Sequence, residues 1–283
     1  MSEYPIVACY RGLDSAPAVR LGAQLALALH EPLVLARAYR YDPVALSARP
    51  LPDGENELRA AATQSALRQA YAFIPAGIDV RERVVPAAGI AGALVELARD
   101  VDACALALGR DTHSDVMRSL VPRAPCPVAV APLSVLAPQA ERLQRIGVAC
   151  DGSKTAYWAL VAAMHLAQEA GARLVLLAAG ATRARADTLL QAARLSLDAG
   201  REPPEPPEPQ PLVGDAAAAL THASNDLDLL VCGSRGHHRP LAAILGSVSL
   251  QLVGHARCPV LVVPRASRKS SGPLGLASAG ATA

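Results

Sequence analysis

The chain has 283 residues, 52% of them hydrophobic and only 3% aromatic, with a formal net charge of +2. That is enough apolar material for one large core or two ordinary ones, built mainly from Ala, Val and Leu. The charged residues form no basic stripe interleaved with aromatics, so a nucleic-acid partner is not expected. No apolar run approaches the roughly 18 residues that span a bilayer, so no membrane is expected either. The opening MSEYPIVACY has no basic segment leading into an apolar one, so it does not read as a secretory signal, and a cytoplasmic protein is expected. The six cysteines show no C-x-x-C spacing and read as buried, reduced thiols, neither disulfides nor metal ligands.

In chain order, a short apolar strand (Ile6–Cys9) is followed by an amphipathic helix (about Ser15–Leu29) and a second strand (Leu33–Ala38). A helical segment (Glu55–Tyr71), a strand (Asp79–Val85), a helix (Gly89–Arg99) and a fourth strand (Ala103–Leu108) come next. A last helix leads to a fifth strand at Val128–Val130. The pattern then starts again after a seam near Leu136–Arg145. Strands are expected at Ile146–Cys150, Arg173–Ala179, Leu227–Cys232 and Val260–Val263, and helices at Ser153–Glu169, Ala184–Asp198 and Asp215–Ala223, with a last helix before the fifth strand. The third strand of this second set falls in REPPEPPEPQPLVGD. Proline cannot donate to a sheet ladder, so at most Pro211–Val213 is expected to pair there.

Three sequence pairs recur in the same order: PIVACY with IGVACD, VDACALALG with NDLDLLVCG, and APCPVAVAP with ARCPVLVVP. The chain therefore reads as a tandem duplication. The expected domains are residues 1–137 and 143–265, followed by a low-complexity, disordered tail over 266–283. Strands apolar throughout and alternating with helices imply mostly parallel sheets covered on both faces. The expected fold class is α/β: two tandem open, mostly parallel five-stranded sheets with helices on both faces, Rossmann-like.

In such sheets, ligands bind beyond the carboxyl ends of the strands, where the strand order reverses. If the first and fourth strands of the second copy are neighbours, two loops meet there. One carries Asp151. The other runs from Gly233 through Gly236 to Gly246 and Ser247, a G-x-x-G-x9-G-S pattern. Glycines let backbone N–H groups approach an anion. The N-terminus of the helix at Gly246–Ser247 favours a phosphate, and the Ser247 hydroxyl can donate to it or cap the helix. Asp151 suits the other end of a nucleotide, accepting from a ribose hydroxyl or an adenine amino group. Glycines that serve only turns and a cap are the competing reading.

These residues resemble the universal stress protein family, over roughly residues 3–135 and 143–264. ATP-binding members of that family carry G-x-x-G-x9-G-[ST] after the fourth strand, here Gly233, Gly236, Gly246 and Ser247. The family's aspartate after the first strand matches Asp151, flanked by Ala149 and Cys150. Its adenine-side contact falls on Ala179, and Cys232, Arg235 and Val248 occupy further pocket-lining positions. The resemblance implies ATP as the ligand, with or without Mg2+, or else AMP or ADP, and a role in stress response or nucleotide-responsive regulation. It also implies pairing of the two fifth strands, Val128–Val130 against Val260–Val263, as an intramolecular pseudo-dimer, and leaves room for a homodimer. The first copy departs from the pattern, with Ser114 and Asp115 in place of Gly246 and Ser247, a loop eight residues shorter, and Tyr10 aligned with Asp151. It is expected to fold alike and bind no nucleotide.

GVACDGSKT is a near miss to the phosphate loop of nucleoside triphosphatases, since Ser153 separates Gly152 from Lys154; Ser153 reads better as a helix cap. His237 and His238 read as exposed loop residues. With no evident general base, a binding protein is expected, not an enzyme. A slow ATPase and a partner-binding scaffold that takes no nucleotide are the alternatives.

Overall fold

The computed structural model describes residues 3–40, 55–87, 89–110, 114–132, 142–198, 205–234, 246–264 and 272–274. Its strands are β1 (Ile6–Cys9), β2 (Leu33–Arg40), β3 (Val80–Ala87), β4 (Ala105–Gly109), β5 (Val128–Ala131), β6 (Arg145–Ala149), β7 (Arg173–Gly180), β8 (Glu208–Val213), β9 (Leu229–Gly233) and β10 (Val260–Val263). Its helices are α1 (Ala16–Leu29), α2 (Glu55–Leu67), α3 (Ile90–Asp100), α4 (Ser114–Leu120), α5 (Lys154–Ala170), α6 (Arg183–Asp198), α7 (Ala216–Ala223) and α8 (Ser247–His255).

The strands form one sheet in the order β3-β2-β1-β4-β5-β10-β9-β6-β7-β8. Every pairing is parallel except that of β5 with β10, where Val128, Ala129 and Val130 lie opposite Val262, Leu261 and Val260. The two five-stranded sheets expected from the sequence are thus joined edge to edge into one. Four apolar side chains of β10 and four of β5 are fully buried there, which a sheet interior requires and an exposed edge does not. Helices α1, α2, α5 and α6 supply the core on one face. Helices α3, α4, α7 and α8 supply it on the other. Strands buried on both faces explain the unbroken apolar runs in the sequence.

The third strand of the second half is longer than expected. All of Glu208–Val213 pairs with β7, although Pro209 and Pro211 lie within it. The two prolines are two residues apart, so their missing N–H groups fall on the same side of the strand. Because β8 is the last strand of the sheet, that side faces no neighbour, and no ladder bond is lost. An edge without those donors is also a poor template for pairing with another chain.

Part of the C-terminal tail also departs from expectation. Residues 272–274 are seated on the first half. Leu274 is buried in the core, and a Cβ on Gly272 would stand 2.9 Å from Cys104 Cβ and 3.2 Å from Tyr4 Cβ. Leu274 repays the ordering of this short stretch with apolar burial. The rest of the 266–283 segment lies outside the described residues.

The strand register corrects the alignment of the two halves by one residue. Ile6 pairs with Leu33 and Ala105, as Ile146 pairs with Leu174 and Leu229. The Tyr10 N–H donates to Ala36 O and the Cys150 N–H to Leu177 O, the equivalent bonds in the two halves. Tyr10 therefore corresponds to Cys150, and it is Arg11 that stands where Asp151 does.

Candidate functional site

The strand order reverses between β6 and β9, which are parallel neighbours: β7 and β8 continue on one side and β10 lies on the other. The carboxyl ends of β6, β7 and β9 share one edge of the sheet, and six of the sequence-predicted site residues lie at or just beyond those ends, with three more at the start of α8. Ala149 ends β6, and Cys150 and Asp151 follow it. Ala179 lies two residues past the last residue of β7 that pairs with β6. Cys232 and Gly233 end β9. Gly246, Ser247 and Val248 open α8, which the chain enters after β9. Arg235 and Gly236, with His237 and His238, lie outside the described residues.

Asp151 is held by the turn that follows it. Gly152 has a φ of +77°, a left-handed conformation that glycine adopts without penalty. The Ser153 N–H then donates to Asp151 Oδ1 at 2.9 Å. Ser153 Oγ accepts from the Ala156 N–H at 3.1 Å and caps α5, as its position in the sequence suggested. This leaves Asp151 Oδ2 without a partner among the described residues, on a half-buried side chain. A carboxylate oxygen so placed can accept a hydroxyl or amino hydrogen.

The β9 side is tied together by short bonds. Gly246 N–H donates to Ser234 O at 2.8 Å, so the chain leaving β9 and the chain entering α8 are joined. Ser249 Oγ donates to Gly233 O at 2.7 Å, and Ser234 N–H donates to Val263 O at 3.0 Å. Gly246 is the cap residue of α8, with no side chain bonded to the helix end among the described residues, and Ser247 is its first helical residue and exposed. The cap role allowed for Ser247 thus falls to Gly246, and the Ser247 hydroxyl faces solvent. An uncapped N-terminus of this kind presents free N–H groups and the positive end of the helix dipole.

The glycine at 233 has a packing reason. A Cβ there would lie 2.7 Å from Thr155 C and 2.8 Å from Thr155 O, so the first turn of α5 could not approach β9. Gly147, the first glycine of the near-miss motif, likewise sits inside β6, where a Cβ would meet Leu227 Cδ1 at 2.5 Å. Cys150 and Cys232, at the ends of the two neighbouring strands, are buried thiols. Burial, with the nearby Asp151 charge adding, pushes Cys150 up to about 12. Cys232 is also pushed up to about 12, chiefly by burial. Both are neutral at ordinary pH and unsuited to act as nucleophiles. Sequence reasoning passed over Ser249 and Thr155. The signal for Ser249 was a second serine inside the apolar helix SVSLQLV; Thr155 left none.

At the matching edge of the first half, Arg11 replaces Asp151 and Tyr10 is fully buried. Burial raises the Tyr10 hydroxyl above its usual range, with Arg37 acting against it. Among the described residues there is no group of histidine, cysteine or acidic side chains arranged to hold a metal. No helix among them is long and apolar enough to cross a membrane.

An open, doubly wound sheet whose strand order reverses in each half defines a broad class of α/β proteins. Within it, residues 178–264 match the profile of the Universal stress protein family. Universal stress protein MT2052 of Mycobacterium tuberculosis is 40% identical over 62 residues, a match that spans 22% of this chain and 20% of that relative's length. The crystal structure of a universal stress protein from Archaeoglobus fulgidus superposes with a TM-score of 0.69 at 17% identity, covering 92% of this chain and 96% of the other. A functionally unknown protein from Pseudomonas aeruginosa superposes with a TM-score of 0.58 at 16% identity, covering 94% of each chain. At those identities the two structures are likenesses of fold, and they extend over both halves.

Proposed function

We propose that the second half of the chain binds an adenine nucleotide at the carboxyl edge of β6 and β9, with ATP, ADP or AMP as the ligand. One observation carries this: an acceptor carboxylate oxygen and an uncapped helix N-terminus lie on the two sides of one strand-order reversal. Asp151 would accept from the ribose or the base. The N–H groups of Ser247 and Val248, with the Ser247 hydroxyl, would take a phosphate. Ala149, Cys150, Ala179 and Cys232 would wall the base. Arg235 and Gly236, by their place in the motif, would complete the phosphate loop. The family match over 178–264 supports the same ligand class.

The proposed units are residues 1–137 and 143–265, arranged as an intramolecular pseudo-dimer through β5 and β10. The first unit would bind no nucleotide, because Arg11 offers a donor where the second has an acceptor. Its role is to cover the apolar edge of β10. The proposed activity is binding, in stress response or nucleotide-responsive regulation.

Calorimetric titration of the full-length protein with ATP tests this, against Gly246→Asp. A carboxylate at that helix end should cost roughly tenfold or more in affinity through repulsion of the phosphates. Equal affinity of the variant and the wild type would remove the site. Phosphate release from Mg-ATP above background, abolished by Ser247→Ala, would convert the binding reading into an ATPase.

A further inference from the structure

Gly109 ends β4 as Gly233 ends β9, and the next residue makes the same bond in each half: Arg110 N–H to Ala131 O at 2.9 Å, Ser234 N–H to Val263 O at 3.0 Å. Arg110 is thus the first residue of the first half's lost phosphate loop. Its side chain does not turn back over its own half. The Nη2 group crosses to the second half and donates to the carbonyl oxygen of Ala256. Ala256 is the residue that closes α8. At the other end of that same nine-residue helix stand Gly246 and Ser247.

The antiparallel pairing of β5 and β10 makes this reach natural. It sets the carboxyl edge of the first half beside the amino edge of the second, so α8 begins at its own half's site and ends at Arg110. At about 1.5 Å per residue the helix spans roughly 13 Å between them. Ala256 lies just past the helix, with a ψ of 148° that turns its carbonyl out of the helical direction; the guanidinium bonded to it still stands beside the negative end of the helix dipole. Arg110 is half-buried, and its Nε has no hydrogen-bond partner among the described residues. Burial, and then the neighbouring Arg257 guanidinium, push it below the usual arginine range. A cation kept there at that cost is one whose place is fixed.

We propose that Arg110 is a positioning residue for the nucleotide site: from the first half, it holds the carboxyl end of α8 and so sets the N-terminus that receives the phosphates. This rests on the nucleotide reading above and deepens it. The degenerate half then contributes a charge to its partner's site without contacting the ligand. Because the guanidinium charge also acts through space on the phosphates, over roughly 13 Å, the contribution should depend on the ligand's phosphate charge and be absent for the uncharged nucleoside.

The test is titration of the full-length wild type, Arg110→Met and Arg110→Lys with ATP and with adenosine. Arg110→Met should weaken ATP roughly two- to fivefold, the order of one charge acting on the phosphates across that distance. Adenosine should bind it as it binds the wild type, and Arg110→Lys should keep most of the ATP affinity. Unchanged ATP affinity in folded Arg110→Met, or an equal loss for ATP and adenosine, overturns the proposal. Should Arg110→Met not fold, Arg110→Gln, which keeps a donor and drops the charge, is compared with Arg110→Lys; equal ATP affinity of those two overturns it as well. Absence of ATP binding by the wild type overturns the nucleotide reading first, and this inference with it.

Discussion

Gly233→Ala separates two reasons for a glycine at the end of β9. If the residue is glycine only to let a phosphate approach, the ligand-free protein should tolerate a methyl group. The structure predicts otherwise. The new Cβ would lie 2.7, 2.8 and 2.9 Å from the carbonyl carbon, carbonyl oxygen and Cβ of Thr155. Two of those atoms are backbone in the first turn of α5, which cannot rotate away as a side-chain end would. Relief requires α5 to shift off β9, and α5 is packed through Ala159, Leu160, Ala163 and Leu166. Overpacking of a filled core costs about 1–3 kcal/mol. For a protein of this size that is a drop of roughly 2–10 °C in melting temperature. The assay is thermal unfolding followed by circular dichroism without nucleotide. Gly92→Ala is the control, since nothing lies within 4 Å of a Cβ there. It sits inside α3, where alanine should add about 0.5–1 kcal/mol. An unshifted melting temperature for Gly233→Ala, with Gly92→Ala behaving as expected, would refute the close approach and return the glycine to the ligand.

Two further outcomes follow from the same structure. Val262 is fully buried at the β5–β10 seam, so Val262→Lys should cost at least ~3 kcal/mol, the order of an uncompensated buried charge; an unchanged urea midpoint would show that the seam is not closed in solution. Burial pushes the thiols of Cys126, Cys150, Cys232 and Cys258 up to about 12. An unfolded thiol ionises near 8.5, so below that pH both states are protonated and the contribution is complete. As pH rises from there towards 12 the unfolded chain loses protons first, and each thiol should remove up to ~1.4 kcal/mol per pH unit. Denaturant midpoints that do not fall between pH 8 and 10, or fall as steeply in Cys232→Ala, would be incompatible with this.

The order and kind of the elements were legible because the physics behind them is local. Strands buried on both faces must be apolar throughout, and amphipathic helices must show their period, so both halves could be traced and the duplication recognised. The antiparallel meeting of Val128–Val130 with Val260–Val263 was legible too, since a short apolar edge strand needs a cover. What sequence hid depended on neighbours. Two prolines argue against a strand unless the strand is an edge and the prolines share its outer side, as Pro209 and Pro211 do. The shared letters VAC in the two first strands drew Tyr10 onto Asp151. Only the pairing of Ile6 and Ile146 with their neighbours shows the one-residue offset. Leu274 looked like part of a polar, low-complexity tail, because one buried leucine leaves no periodicity to read.

The offset changes what the first half is. With Tyr10 in the Asp151 position, that half would be a site whose acceptor had been replaced by a neutral ring. With Arg11 there, and Arg110 where the second half has Ser234, two positions beside the proposed nucleotide site of one half carry guanidiniums in the other. Both arginines lie just past the ends of their strands, β1 and β4. A copy drifting without function would lose its polar positions to any residue that tolerates solvent. Arg110 instead spends a half-buried charge on a carbonyl of the other half, and a burial of that kind survives only where it is matched. On the proposed reading, the two halves divide the labour along one sheet: one edge keeps the acceptor and the open helix end, and the opposite edge supplies the charge that steadies that helix from behind.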